Sequence, residues 1–516
     1  MKLSISNIAW TKENDEKVYS LIKENGFCSI EIAPTRVIDN PYKELDAIKQ
    51  WFHDLKDKYG FDVCSMQSIW FGKNEKIFKS QEDRKELIEY TKKAIDCASV
   101  INCGNLVFGC PKNRSLDEDY SEEIAISFFK EIGDYAYSKN TCIALEANPV
   151  IYGTDYINDT MSAIELIKKV NSKGFKLNLD LGTIIYNNED INEISKYVEL
   201  INHVHISEPN LELIQKRELH KQLFKILKNN NYDRYVSIEM KKQDSIDSIK
   251  DVLEYVKSLD REVPNYEIHE YDKKTKDYVL LIPIINEGNR IKEELRKAFD
   301  NKVFNYVDIV ICDGDSKDGC TNNLKEYKVN TLLVKKDIGK QGAQLRMGFD
   351  WAISRGYKGI VTIDGNNKDS IEDAYKFIEK LKEGYDFIQG SRFIKGGKAV
   401  NTPASRWLAV QLLHAPIISL TAGHRFTDTT NNFRAYSIKY LLDDRVSIFR
   451  DCFSGYELLA YLSTRASQLG YRVCEVPVSR IYPKNEKAPT KISPIKGNIN
   501  LFKVLINNAL GKYNPK

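Results

Sequence analysis

Eight short β-rich runs, separated by longer segments with apolar residues at helical spacing, constrain the first half of this chain more than any other feature. The runs are KLSIS (2–6), CSIEIA (28–33), DVCSMQ (62–67), NLVFG (105–109), CIALEA (142–147), FKLNLD (175–180), HVHIS (203–207) and YVSIEM (235–240). Between them, segments such as KELIEYTKKAIDCASVI and SAIELIKKVNSKG repeat apolar residues at helical spacing and often finish near Asn or Gly. Eight strand–helix units in about 250 residues is the arithmetic of a (β/α)8 barrel. A doubly wound open sheet is the other arrangement this alternation allows, and the count of eight favours the barrel.

In such a barrel, chemistry lies where the strands end. Four consecutive strand ends carry possible ligands: Glu146 in ALEAN, Asp180 in LNLD, His205 in HVHIS and Glu239 in SIEM. Three carboxylates and an imidazole converging on one mouth suit Mn²⁺, Mg²⁺, Co²⁺ or Zn²⁺, and without a cation between them the carboxylates would repel one another. Taken singly, each has an ordinary explanation as a helix cap, a solvated carboxylate or a core histidine.

These residues resemble the sugar isomerase/epimerase superfamily with the xylose-isomerase-like TIM barrel, over residues 1–258. That superfamily includes ketose 3-epimerases, hydroxypyruvate isomerases, inosose dehydratases and endonuclease IV. The resemblance implies that Glu146 and Glu239 bind a divalent metal and also move the substrate proton, one on each face of the sugar. Two departures concern the substrate grip. Where the epimerases place a His three residues after the Asp, this chain has Thr183; where they place an Arg after the HIGE-type segment, it has Leu211. Glu31, Arg36, Gln67 and Trp70 fall near strands two and three, where they would line the mouth or serve as caps and loop packing, and His53 reads as an ordinary helix residue.

Residues 259–276, LDREVPNYEIHEYDKKTK, are polar and without strong periodicity, and read as a linker. From 277 to 516 three apolar runs enter acidic loops: DYVLLIPIINEGNRI, YVDIVICDGDSKDGC and YKGIVTIDGNNKDS. The pattern suggests a parallel sheet binding a ligand along its carboxyl edge. No G-x-G-x-x-G and no GKS/T loop is present, so a dinucleotide fold and a P-loop are unsupported.

Seven segments in order, PIINEGNRI, CDGDSKDG, GKQGAQLRMGFDWA, IDGN, GSRFIKGG, DTTNNFRAY and EVPVSRIYPKNEKAPTKIS, resemble glycosyltransferase family 2 of the Rossmann-like GT-A fold, in its dolichol-phosphate mannose synthase-like branch. The resemblance implies that Pro283, Asn286, Glu287, Asp313 and Asp315 cradle the base and ribose of a nucleotide-sugar, and that Asp364 faces its diphosphate. Arg392, Arg406 and Lys491 would meet phosphate oxygens.

One departure bears on catalysis. Where the family has a second metal-binding carboxylate stands Asn366, and two residues on stands Lys368. An amide oxygen holds a hard cation less strongly than a carboxylate, whereas an ammonium can neutralise a leaving diphosphate directly. The expectation is a donor site that depends weakly or not at all on Mg²⁺ or Mn²⁺; the alternative is that another residue completes an ordinary metal site around Asp364. The acceptor is read as a sugar, a sugar phosphate or a polyprenyl phosphate. A phosphate oxygen needs no base, while a sugar hydroxyl would, and Asp428 is then the candidate. Beyond Val476 an excess of Lys and Arg over acidic residues would attract a phosphorylated acceptor or an anionic membrane surface, or simply be solvated.

Composition sets outer limits. With 42% hydrophobic and 29% charged residues and a net charge of +3, the 516-residue chain is globular in type and nothing demands nucleic acid. Ten cysteines without C-x-x-C suit a reducing compartment, and no signal peptide is evident at MKLSISNIAW. The expected location is cytoplasmic, with membrane association at the inner face. The longest apolar stretch, WLAVQLLHAPIISLTAG (407–423), is short for a span and contains Gln, His and Pro. Together these features read as a bifunctional enzyme of surface polysaccharide or glycoconjugate synthesis, a glycosyltransferase fused to a metal-dependent sugar isomerase or epimerase. A silent sugar-binding barrel and a nucleotidyl-transferring second half are the alternatives.

Overall fold

The computed structural model describes residues 1–483 and 496–515; Lys491 lies outside the described residues. The chain divides into two units, Met1–Asp260 and Arg261–Lys516.

In the first unit, strands β1 (Lys2–Ile5), β2 (Ser29–Ile32), β3 (Asp62–Met66), β4 (Leu106–Phe108), β5 (Ile143–Glu146), β6 (Phe175–Asp180), β7 (Ile201–Ile206) and β8 (Tyr235–Ile238) all pair in parallel. Their order, β1-β8-β7-β6-β5-β4-β3-β2, leaves a single seam, which a parallel bridge between Ser6 and Glu31 closes. The (β/α)8 TIM barrel is therefore the observed fold. Helix starts follow from local chemistry: Ser80, Ser121 and Asp159 each accept the N–H three residues on, satisfying a donor that the helix itself leaves unpaired. The two-residue alternation of a strand puts Ala144 with Glu146, Asn178 with Asp180, His203 with His205, and Ser237 with Glu239 on common faces.

The second unit is built on an eight-stranded sheet ordered β17-β14-β16-β13-β10-β11-β12-β9. Its strands are β9 (Tyr266–Glu270), β10 (Tyr278–Ile284), β11 (Asp308–Asp313), β12 (Val329–Lys335), β13 (Gly359–Thr362), β14 (Phe387–Ser391), β16 (Arg434–Ser437) and β17 (Val473–Pro477); β15 (Lys398–Val400) and β18 (Ser479–Ile481) form a separate pair. Alternate residues of β10 serve two cores. Val279 and Leu281 pack beneath the helix Gln341–Ser354, while Leu280, Ile282 and Ile284 pack beneath Asn289–Asp300, as expected of a sheet covered on both faces.

Two features differ from the sequence reading. The sheet is mixed, because β9 and β16 run antiparallel to their neighbours. And within the stretch read as a linker, Tyr266–Glu270 hydrogen-bonds to β12 as the sheet's edge strand; its charged residues are those of an exposed edge, which hides its strand character from periodicity. Since β11 and β13 flank β10 on opposite sides, the strand order reverses there. The loops after these three strands meet at that switch point, the usual crevice for a ligand.

Candidate functional sites

Glu146, Asp180, His205 and Glu239 converge at the barrel mouth. All four are buried, and one ligating atom from each lies within 4.8 Å of the others. His205 presents Nδ1 to Glu146 Oε1 at 3.0 Å and to Glu239 Oε2 at 3.1 Å. Asn178 Nδ2 donates to Glu146 Oε1 at 2.8 Å, and Asn148 Nδ2 donates to Glu146 Oε2 at 3.0 Å. Asp180 caps the helix Leu181–Asn187: the Thr183 N–H and Oγ1 donate to its Oδ2 at 2.7 and 2.9 Å, and Ser207 Oγ donates to Oδ1. Thr183, which stands where the epimerases have a histidine, thus orients a carboxylate.

The electrostatics of this group call for a cation. Burial, and then repulsion from Glu146, push Asp180 up to about 6. Burial pushes Glu239 up to about 7 against the pull of His205. Three buried carboxylates against one imidazole leave negative charge uncompensated, a donor set of the right chemistry for a divalent metal.

Behind the imidazole lies a residue whose role the sequence reading missed. Glu31 was expected near the mouth, but it is fully buried and its Oε2 sits 2.9 Å from His205 Nε2. Burial would raise its carboxyl; the His205 charge outweighs this and holds it down at about 2. His203 Nε2 lies 3.5 Å from the same oxygen, and Gln67 Nε2 donates to Glu31 Oε1 at 3.0 Å. This is the arrangement that fixes the orientation of a metal-binding histidine. Gln67 and Trp70 are buried, Trp70 donating to Thr91. Arg36 pairs with Asp15 at 2.6 Å beside Trp10. His53 lies on the helix Leu45–Tyr59, as expected.

Arg114 was also missed. Completely buried, it donates to the carbonyls of Gly109 at 2.5 Å, Glu146 at 2.8 Å and Tyr156 at 3.1 Å, and to Asn148 Oδ1 at 3.0 Å. It ties the ends of β4 and β5 together and sets the amide that orients Glu146.

In the second unit the loops after β10 and β11 clasp each other. Asn286 Oδ1 accepts the Lys317 N–H at 2.8 Å, and Asp318 Oδ2 accepts that of Gly288 at 2.8 Å. Asp313 accepts both N–H and Oγ of Ser316, at 2.8 and 2.5 Å. Asn286 and Asp315 adopt left-handed backbone, with φ of 47° and 72°, which Asn and Asp tolerate best among side-chain-bearing residues. Pro283 is the buried penultimate residue of β10; Glu287 pairs with Arg290 at 2.9 Å and Asp315 with Lys317 at 2.7 Å. All five lie at the ends of β10 and β11 or on the two loops that follow them.

Asp364 and Asn366 follow β13, across Gly365, where a Cβ would come within 2.4 Å of the Ile284 side chain. Asp364 Oδ1 accepts from Gln341 Nε2 at 2.9 Å and Asn432 Nδ2 at 3.1 Å, while Oδ2 lies 3.4 Å from Arg480 Nη2. Lys368, Arg406 and Arg480 surround the Tyr482 ring at 5.4, 5.6 and 5.8 Å from its centre, and Arg406 Nη1 donates to the Tyr482 hydroxyl at 3.1 Å. Tyr482 was not singled out from sequence, and Arg480 was read only as one of the basic residues beyond Val476.

Arg392 and Asp428 are brought together as an ion pair. Arg392 Nε and Nη2 donate to Asp428 Oδ2 and Oδ1 at 2.6 and 2.9 Å, with both side chains almost wholly buried. A carboxylate locked by a buried guanidinium is a poor proton acceptor. Glu475 of the EVP segment holds this loop by accepting from the N–H of Thr427 and Asp428 at 2.9 and 3.2 Å.

Comparison with known proteins agrees with this division. Residues 19–259 match the family model described as xylose isomerase-like TIM barrel, and residues 279–453 match that of glycosyl transferase family 2. An undecaprenyl-phosphate mannosyltransferase of Micrococcus luteus is 28% identical over 218 residues, covering 41% of this chain and 86% of that protein. A polyprenol monophosphomannose synthase of Mycolicibacterium smegmatis is 25% identical over 237 residues, covering 45% and 87%. Among solved structures, a 3-keto-D-glucoside 4-epimerase from E. coli aligns at 18% identity and a TM-score of 0.42, covering 50% of this chain and 98% of the other.

Proposed function

We propose that the second unit transfers a sugar from a nucleoside-diphosphate sugar to a polyprenyl phosphate, and that the first unit is a metal-dependent sugar isomerase or epimerase. The observation that carries the acceptor assignment is the burial of Asp428 in its bidentate pair with Arg392. With that carboxylate unavailable as a base, an acceptor whose oxygen is already anionic fits best. In this reading the acceptor phosphate oxygen bonds to the anomeric carbon as the bond to the diphosphate breaks, and the nucleoside diphosphate leaves with the electron pair. The relatives named above are an undecaprenyl-phosphate mannosyltransferase and a polyprenol monophosphomannose synthase, which supports this reading. Lys368 and Arg406, gathered at Tyr482, supply positive charge for phosphate oxygens.

A lipid chain on that phosphate also accounts for an exposed apolar surface. Arg406 lies on a helical segment, Ala404–Ala422, that leaves Trp407, Leu408 and Leu412 exposed, Leu412 at 71%. Phe502 and Leu510 are exposed on the helix Lys496–Ala509 and the turn after it. No helix among the described residues is long and apolar enough to cross a membrane, so this surface would rest on a bilayer. Leu408→Asp/Leu412→Asp is expected to lower cosedimentation with anionic vesicles at least fivefold while leaving nucleotide affinity unchanged; unchanged vesicle binding would refute the assignment. The acceptor itself is tested by supplying polyprenyl phosphate or the matching polyprenol with each nucleotide-sugar. Glycolipid from the phosphate alone is expected, whereas transfer to the free alcohol would overturn the reading.

In the first unit, Glu146, Asp180, His205 and Glu239 would hold the metal, which when bound polarises a substrate carbonyl and hydroxyl and acidifies the adjacent C–H. Glu146 and Glu239 would then remove and return the proton from opposite faces of the sugar. Arg114, through Asn148, keeps Glu146 aimed at the mouth, and Glu31 keeps His205 turned with Nδ1 outward. Glu31→Gln is expected to weaken divalent metal affinity about 10–100-fold, measured by competition with a chromogenic chelator. Affinity within twofold of the parent would remove Glu31 from this role.

A further inference from the structure

The donor site of the proposed transferase sets a guanidinium, Arg480, between its carboxylates Asp364 and Asp369. Among the described residues, the groups of three or more His, Cys, Asp and Glu close enough to share a metal all lie in the barrel. Asp364 is already engaged by Gln341, Asn432 and Arg480. Asn366 turns its amide nitrogen to Asp364 Oδ2 at 3.5 Å, and its own oxygen is neutral and buried. The next carboxylate along the chain, Asp369, is 2% exposed and directed to Arg480 Nη1 at 2.7 Å. Arg480 thus bridges Asp364 and Asp369, with Lys368 and Arg406 around the same tyrosine. A dication entering here would meet three side-chain cations, with both nearby carboxylates, Asp364 and Asp369, already facing Arg480.

We infer that Lys368 and Arg480 do the electrostatic work of the divalent metal, so that the nucleoside diphosphate is held and released by an ammonium–guanidinium pair without Mg²⁺ or Mn²⁺. The inference rests on the nucleotide-sugar reading of this unit. Asp364 and Asp369 hold Arg480 in place, and Arg480 in turn supplies the positive charge that a second carboxylate would otherwise have recruited as metal. Lys368 is lowered to about 8 by burial and by Arg480 beside it, which still leaves it mostly protonated at neutral pH.

The test is calorimetric titration of the full chain with UDP, GDP, CDP and dTDP, each in EDTA and in excess Mn²⁺. One of the four is expected to bind with affinities within threefold in the two conditions. Lys368→Gln is expected to weaken the EDTA-resistant binding at least tenfold, with a thermal melt confirming that the variant is folded. Binding confined to Mn²⁺, or EDTA-resistant binding unchanged in Lys368→Gln, would overturn the inference and leave the transferase reading intact. No binding by any of the four in either condition would overturn both.

Discussion

Glu239→Gln is expected to reduce isomer interconversion by the first unit about 10²–10⁴-fold, the usual worth of a positioned acid–base group. The change keeps the size of the side chain and an oxygen within reach of the site, but removes the ability to accept a proton. Burial pushes Glu239 up to about 7, which reflects a carboxylate held in a dry, crowded pocket. A neutral glutamine there avoids burying a charge, so in EDTA the variant should melt no lower than the parent in EDTA. A large loss of turnover with undiminished thermal stability therefore separates a chemical role from a structural one. Retention of more than a tenth of the parent rate, assayed on a panel of ketoses and keto-sugars, would contradict the proton-transfer assignment. If the parent converts no sugar on that panel yet binds them, the barrel is a sugar-binding module.

Asp428→Ala is expected to destabilise the second unit by about 3–5 kcal/mol, because it leaves the Arg392 guanidinium buried and uncompensated. For a unit of this size that corresponds to a fall in melting temperature of roughly 6–20 °C. The double variant Arg392→Met/Asp428→Leu removes both charges and should recover much of the loss. If Asp428 were instead the catalytic base, Asp428→Asn would abolish transfer with little change in stability. The two accounts thus predict opposite balances of activity and melting temperature.

Much of the architecture was legible because strand and helix periods are local properties. All eight barrel strands lie within about two residues of the runs picked out by alternation, and Glu146, Asp180, His205 and Glu239 stand where strand ends place them. What escaped is what depends on distant partners. Glu31 and His205 are 174 residues apart in sequence, so nothing near Glu31 reveals that it backs an imidazole. Its one local sign was an acid in the otherwise apolar alternation SIEI, an inward carboxylate that must find a partner. Arg480 and Asp369 are separated by 111 residues and Arg392 and Asp428 by 36. In each case the sequence offers two charges of opposite sign and no means of knowing that they meet in the interior. The departure at Asn366 and Lys368 was visible at once; its compensation by Arg480 required the fold.

The most direct test of the whole account is metal stoichiometry of the full chain, measured by elemental analysis after dialysis against Mn²⁺ in the presence of the nucleoside diphosphate that binds. One equivalent per chain is predicted, lost in Glu146→Gln/Asp180→Asn and retained in Asp364→Asn. Two equivalents, with one lost in Asp364→Asn, would show that the second unit carries a metal site after all; no metal in the parent protein would contradict the barrel site.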